Sequence, residues 1–247
     1  MLSSNSEYDT GVNTFSPEGR IYQIEYCRNA FKLGGSGVGL VCPGGVVLAV
    51  EKKASSKLVE KLGFEKIAEV DSHIFAIVSG LIADSQRLTE TARSEAHYHR
   101  FIYQEAIPVK ATTQAVADIA LNFGEGDRSS RKPISRPFGV SLLFGGVDRN
   151  GPSLYQMDPS GTVVGYLAKG VGSAEQGINS LLEKHYKEDM SLNDAETLAL
   201  SVLKQVMEEK IKAELVDLAV LKIEDGKFVR RSVAEIEEIL KSVKELL

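Results

Sequence analysis

Four groups of residues in this chain are of types that could do chemistry, and their spacing decides what each can do. Gly34-Gly35-Ser36-Gly37-Val38-Gly39 is a glycine-rich run of the kind that cradles phosphate. Phosphate loops, however, leave a strand and open a helix, so that the helix N-terminus faces the anion. This run follows a helical pattern and enters a strand, and no Gly-Lys-Ser/Thr comes after it, which disfavours a nucleotide site. Cys27 and Cys42 are the two cysteines, too few for a disulfide framework and without metal-ligand spacing; they read as buried thiols in a reducing compartment. Among the four histidines, His97 and His99 stand two apart in a helical pattern and point to different sides, whereas ligands on one helix face need a spacing of three or four. Lys52, Lys53, Lys57, Lys61 and Lys66 form a basic stretch interrupted by Glu51, Glu60 and Glu65, which reads mostly as a solvated face. No metal or cofactor is expected.

Composition bounds the rest. With 247 residues, 43% of them hydrophobic and 26% charged, the chain can fill one core and is expected to form a single domain over residues 1–247. A net charge of -5 without a basic block argues against nucleic acid as a primary partner, because phosphate binding needs clustered Lys and Arg. Met1 to Glu7 has no apolar leader core and no later run approaches the roughly 18 apolar residues of a membrane span. A soluble, unexported chain with no membrane partner is the expectation.

The elements that would position these residues follow from hydrophobic periodicity. Ser16-Pro17-Glu18-Gly19 is a turn signal, and Ile21, Ile24, Cys27 and Phe31 then recur at helical spacing, predicting a helix over 18–33 behind a tail over 1–12. Val38 to Val41 and Val46 to Val50 read as strands around Pro43-Gly44-Gly45, and the second is apolar on both alternating faces, so its sheet should be covered on both sides. Ile67–Val70 and His73–Val78 are further strands around Asp71-Ser72. A helix carrying Leu81, Leu88 and Ala92 and another from Thr112 to Phe123 follow. Gly124 to Pro137, with Arg128, Arg131, Lys132 and Arg136 among Gly, Ser and Pro, is predicted to be a mobile loop. Strands resume at Phe138–Phe144, Leu154–Met157 and Thr162–Gly165. Helical stripes at Ala174 to His185 and Leu192 to Met207, strands near Leu215–Ile223 and Lys227–Arg230, and a final helix marked by Val233, Ile236, Leu240 and Val243 close the chain. Strands, two helices, strands, two helices is consistent with two sheets stacked between helical layers, though the pattern alone leaves other mixed folds open.

Particular residues narrow this. Tyr8-Asp9, Phe15-Ser16-Pro17-Glu18-Gly19-Arg20 and Gln23-Ile24-Glu25-Tyr26 closely resemble the N-terminal signature of the alpha-type subunits of the proteasome core particle. Gly45-Val46-Val47-Leu48-Ala49, Glu65-Lys66-Ile67, Ser79-Gly80-Leu81-Ile82-Ala83-Asp84, Arg136-Pro137-Phe138-Gly139-Val140 and Met157-Asp158-Pro159-Ser160-Gly161-Thr162 stand in the family's order and spacing. Gly11-Val12-Asn13-Thr14-Phe15 and Phe144-Gly145-Gly146-Val147-Asp148 narrow the resemblance to one eukaryotic type within it. The resemblance implies an α+β fold, the four-layer αββα sandwich of N-terminal nucleophile hydrolases, with an added N-terminal helix.

It also implies where chemistry is absent. Catalytic members of that fold use an N-terminal threonine whose own amine is the base. By the resemblance that position falls on Gly35, the supporting acid on Glu51 and the lysine on Lys66. Glycine cannot attack, and loss of a nucleophile costs on the order of a millionfold in turnover, so the expectation is a non-catalytic subunit of a threonine-protease complex. The alternative is a self-processed hydrolase in which cleavage after Gly35 frees Ser36 as nucleophile. In alpha rings the lysine matching Lys66 receives the C-terminal carboxylate of an activator tail in a pocket walled by Gly34 and Leu81. Tyr8, Asp9, Pro17 and Tyr26 match the cluster that holds the pore's N-terminal tails open. Two departures stand out: Thr10 replaces the family's arginine, and Cys27-Arg28-Asn29 is less apolar than the family's helix. Neighbouring alpha subunits, beta-type subunits below, regulatory caps with C-terminal tails and unfolded substrates in transit are the implied partners, in cytoplasm and nucleus.

Overall fold

The computed structural model describes residues 8, 10–52, 66–124, 134–207, 211–224, 226 and 228–243. Helix α1 (Tyr22–Phe31) leads into strands β1 (Gly37–Cys42) and β2 (Gly45–Glu51), then β3 (Ile67–Asp71) and β4 (Ile74–Gly80). Helices α2 (Ile82–Tyr103) and α3 (Val109–Ala120) precede β5 (Val140–Asp148), β6 (Gly151–Met157), β7 (Val163–Tyr166) and β8 (Ala168–Val171). Helices α4 (Glu175–His185) and α5 (Leu192–Val206), strands β9 (Val216–Lys222) and β10 (Phe228–Arg230), and α6 (Val233–Ser242) complete the order.

The strands form two five-stranded sheets, ordered β10-β9-β2-β1-β8 and β3-β4-β5-β6-β7, antiparallel throughout. Period-two alternation explains how they stack. On β2 every residue is buried. Val46, Leu48 and Val50 face the second sheet, sharing a core with Ile67, Phe75, Ile77, Leu143 and Leu154, while Val47 and Ala49 face the helices, among Leu198, Ala199 and Val202 of α5. The outer face of the second sheet packs Ala76, Leu142 and Phe144 against Leu88 and Ala92 of α2 and Val116 and Ala117 of α3. The layers therefore run helix, sheet, sheet, helix, as the four-layer expectation requires. Each fully buried aliphatic or aromatic side chain contributes about 1.5–3 kcal/mol to this arrangement.

Three local readings change. The first helix begins at Tyr22 rather than residue 18, because Ser16 to Arg20 close a turn of their own: Ser16 N donates to Arg20 O at 2.8 Å and Gly19 N to Ser16 O at 2.9 Å, with Gly19 at φ 75°. Leu81 is the N-cap of α2 rather than a residue within the helix, and is 46% exposed. Strand β8 carries no apolar alternation; it exists because it pairs with β1, and Asn179 Oδ1 on α4 accepts from Gly170 N at 2.9 Å along its other edge. No helix among the described residues is long and apolar enough to cross a membrane.

Candidate docking pocket and gate helix

The three residues expected to form a pocket converge at the C-terminal end of β4. Lys66 lies just before β3, where its carbonyl accepts from Val78 N at 3.1 Å, continuing the register Ile67 to Ile77. Leu81 comes three residues after Val78 and donates its N–H to Gly139 O at 3.0 Å. Gly34, after α1, sits over Ser79 and Gly80. A Cβ there would lie 2.5 Å from Ser79 Oγ and 2.6 Å from Gly80 N, so no side chain fits. Gly80 is itself at φ 122°, and a Cβ on it would lie 2.2 Å from Gly139 O. The chain thus turns sharply from β4 into α2 and leaves Leu81 exposed, while Lys66, opposite Val78, is half-buried.

The residues expected to form a gate cluster are placed separately. Pro17 is exposed in the Ser16–Arg20 turn, Tyr8 is half-buried, and Tyr26 is 43% exposed on α1 with its ring 6.4 Å from that of Tyr22 at 20°. Asp9 lies outside the described residues. Arg20 pairs with Glu25 across the entry to α1.

Helix α1 is fastened by contacts that the sequence pattern did not reveal. Phe31 is buried, and its carbonyl accepts from Ser79 Oγ at 3.1 Å. Arg28 donates to Asp158 Oδ2 at 2.7 Å, and Asp158 Oδ1 organises its own turn by accepting from Ser160 N at 3.0 Å. The less apolar Cys27-Arg28-Asn29 segment is therefore used in part for polar anchoring. Cys27 is half-buried rather than buried, its thiol donating to Pro137 O at 3.6 Å; Cys42 is buried, and both are free. Burial pushes both thiols up from their ordinary range.

Arg136, read from sequence as part of a mobile basic loop, is fixed. Its guanidinium grips Asp84 of α2 with bonds of 2.7 and 2.9 Å, and Asp84 Oδ2 also accepts from Gly139 N at 2.9 Å. Burial raises the Asp84 carboxyl, but the guanidinium and the amide outweigh it and hold the group below its ordinary value. Ile134 is held as well, by backbone bonds with Asn122 and Gly124 of 3.0 and 2.9 Å; residues 125–133, with Arg128, Arg131 and Lys132, lie outside the described residues. Both partners of the Asp84–Arg136 pair stood inside recognisable motifs, and only their meeting across 52 positions was hidden.

The corner where the resemblance would place a nucleophile is closed. Ser36 is 2% exposed, its amide donates to Glu51 Oε2 at 3.3 Å, its carbonyl accepts from Glu51 N at 2.8 Å, and its hydroxyl shares a hydrogen bond with Ser173 Oγ at 3.1 Å. A Cβ at Gly35 would come within 2.9 Å of Glu51 O. Among the described residues no group of three His, Cys, Asp or Glu side chains could hold a metal ion.

Comparison with known proteins agrees with this architecture. The family profile described as "Proteasome subunit" matches residues 31–221, and a second profile, for the N-terminal signature of the A-type members of that family, matches residues 8–30. The "Probable proteasome subunit alpha type-5" of Schizosaccharomyces pombe is 48% identical over 226 residues, 92% of each chain. The "Proteasome subunit alpha type-5" of Dictyostelium discoideum is 44% identical, covering 98% of this chain and 100% of its own, and that of Drosophila melanogaster is 43% identical with the same coverage. The two sheets between helical layers, the helix placed ahead of the first strand and these matches together show that the chain belongs to the proteasome subunit family, to its alpha type, and is similar to the eukaryotic alpha type-5 subunits.

Proposed function

We propose that the chain is a non-catalytic structural and gating subunit of the outer alpha ring of the proteasome core particle. In this role it admits unfolded substrates and docks activators for ubiquitin-dependent and ubiquitin-independent degradation, in cytoplasm and nucleus. The observation that carries the reading is the convergence of Gly34, Lys66 and Leu81 at one end of β4, directly beneath the helix that bears Tyr26. A half-buried lysine suits a chain-terminal carboxylate. Such a contact is worth roughly 1.5–3 kcal/mol, against about 0.2–1 kcal/mol for an exposed pair, and several tails on one ring gain further through effective concentration. A tail held there favours the open arrangement of the Pro17 turn if it binds that state better.

Two further features support the reading. Glycine stands at the nucleophile position, and the neighbouring Ser36 is buried with its nitrogen engaged as a peptide donor to Glu51, so neither offers the free amine and exposed hydroxyl that this class of hydrolase needs. The last turns of α2 present Tyr98, Phe101, Ile102 and Tyr103 at 62%, 80%, 47% and 64% exposure, an uncovered apolar surface of the sort that assembly covers; beta-type and neighbouring alpha subunits are the proposed partners.

Lys66→Ala in a reconstituted particle should leave assembly intact and weaken activator-stimulated peptide hydrolysis. Stimulation equal to wild type would remove the docking role. Weighing each subunit ejected from the native particle tests the other half of the reading, since a chain cut after Gly35 would make Ser36 the nucleophile.

A further inference from the structure

Leu81, at the proposed docking pocket, and helix α1 are joined by hydrogen bonds and packing through residues 136–139. Leu81, on the pocket wall, donates its N–H to Gly139 O at 3.0 Å, and Gly139 N donates to Asp84 Oδ2 at 2.9 Å. Asp84 is three residues beyond Leu81, in the first turn of α2, so the helix start grips both polar groups of Gly139. Arg136 closes the ring: it binds Asp84 through both terminal nitrogens and also donates to Pro137 O at 2.9 Å. Pro137 O is the same carbonyl that receives the Cys27 thiol of α1 at 3.6 Å. Gly139 also lies beneath α1, where a Cβ on it would sit 3.5 Å from Ala30 Cβ and 2.9 Å from Leu81 Cδ1.

Asp84 is 10% exposed at its side chain while Arg136 is 54% exposed. The carboxylate is thus the fixed partner, and the guanidinium the strap that ties the segment to it from outside. Because α2's first turn and residues 136–139 share these bonds, a displacement of Leu81 carries the segment with it. The segment in turn carries α1, at Cys27 beside Tyr26 and at Ala30.

We propose that Arg136 is a positioning residue that couples occupancy of the Lys66 pocket to the placement of helix α1, through its pairing with Asp84 and its bond to Pro137. This rests on the docking reading above and adds to it the route by which the bound tail is felt. The physical warrant is a contiguous network of packed and hydrogen-bonded groups between two sites, with α1 as the element whose position both ends bias.

The test uses assembled core particles carrying Arg136→Ala, Arg136→Lys or Lys66→Ala in this chain. The probe is a fluorescent apolar heptapeptide with a free C-terminal carboxylate, alongside its C-terminal amide. Binding is read by anisotropy, and opening by hydrolysis of a fluorogenic peptide at saturating heptapeptide. Arg136→Ala should keep the preference for carboxylate over amide and the basal rate, while stimulation at saturation falls by about 2- to 30-fold, the span for removing a residue along a coupling network. Arg136→Lys, which keeps the charge and loses the fork, should recover part of it.

Full stimulation in Arg136→Ala overturns the proposal. So does loss of the carboxylate preference together with stimulation, which would make Arg136 a part of the pocket wall alone, and so does failure of both Arg136 variants to enter particles. Retention of the carboxylate preference in Lys66→Ala would instead sink the docking reading itself, and with it this extension.

Discussion

Glu196 of α5 is 2% exposed, and both its oxygens are held by Arg231, at 2.7 and 2.9 Å, while Arg231 also reaches Glu235 at 3.1 Å. Removing one member of such a pair strands a buried charge, so Arg231→Ala should destabilise the fold by about 3–5 kcal/mol. Replacing both residues with Met should cost much less than Arg231→Ala alone, which urea unfolding of the two variants checks. Asp84 makes a pH-dependent contribution of known sign. Its folded pKa lies below the ordinary Asp value of 3.8, so the unfolded chain binds the proton more readily. The stability it contributes is present above that value and is lost as pH falls through the lower folded one. Thermal unfolding midpoints should therefore drop on acidification below about pH 4. Asp84→Asn should lower the midpoint at pH 7 and flatten part of that acid slope; an unchanged slope would rule Asp84 out as its source.

At the scale of elements, helix ends are held in different ways. Helix α6 has a full capping box, with Glu235 N donating to Ser232 Oγ at 3.3 Å and Ser232 N to Glu235 Oε2 at 2.7 Å. Ser232→Ala should cost about 0.5–2 kcal/mol, and Ser232→Gly only a few tenths. A loss below about 0.5 kcal/mol for Ser232→Ala, measured by urea unfolding, would show that the hydroxyl bond is not what holds this end. Helix α1 has no side-chain cap at its N-terminal end. Its position is set instead by tertiary anchors, Phe31 in the core, Cys27 on Pro137 O and Arg28 on Asp158. A helix of ten residues is too short to persist on propensity alone, so those anchors decide where it lies.

Across the whole molecule, the stacked sheets bury a core between them, while the tip of α2 leaves large apolar side chains exposed. Phe75 and Phe228 stack between the sheets with ring centroids 3.5 Å apart. Phe101, by contrast, is 80% exposed. Phe101→Ser should therefore change unfolding free energy by no more than about 0.5 kcal/mol and should reduce incorporation into assembled particles, as read by native gel or native mass spectrometry. Wild-type incorporation would remove the α2 tip from the proposed interface.

The sequence by itself determined the order of every element but β8, the double-sided burial of β2 and the family, because periodicity and motif spacing are local properties that survive being read in one dimension. By resemblance it also assigned Gly34, Lys66 and Leu81 to one proposed pocket, and the fold places all three near the end of β4. It could not show that Arg136 is a strap rather than a loop charge, that Cys27 and Arg28 anchor α1, or that Ala168–Val171 forms a strand. Each of those depends on a partner far along the chain: Asp84, Pro137, Asp158 and β1. A hydrogen bond or ion pair forms where two groups arrive together, and only the folding of the sheets and helices into layers decides which distant groups meet.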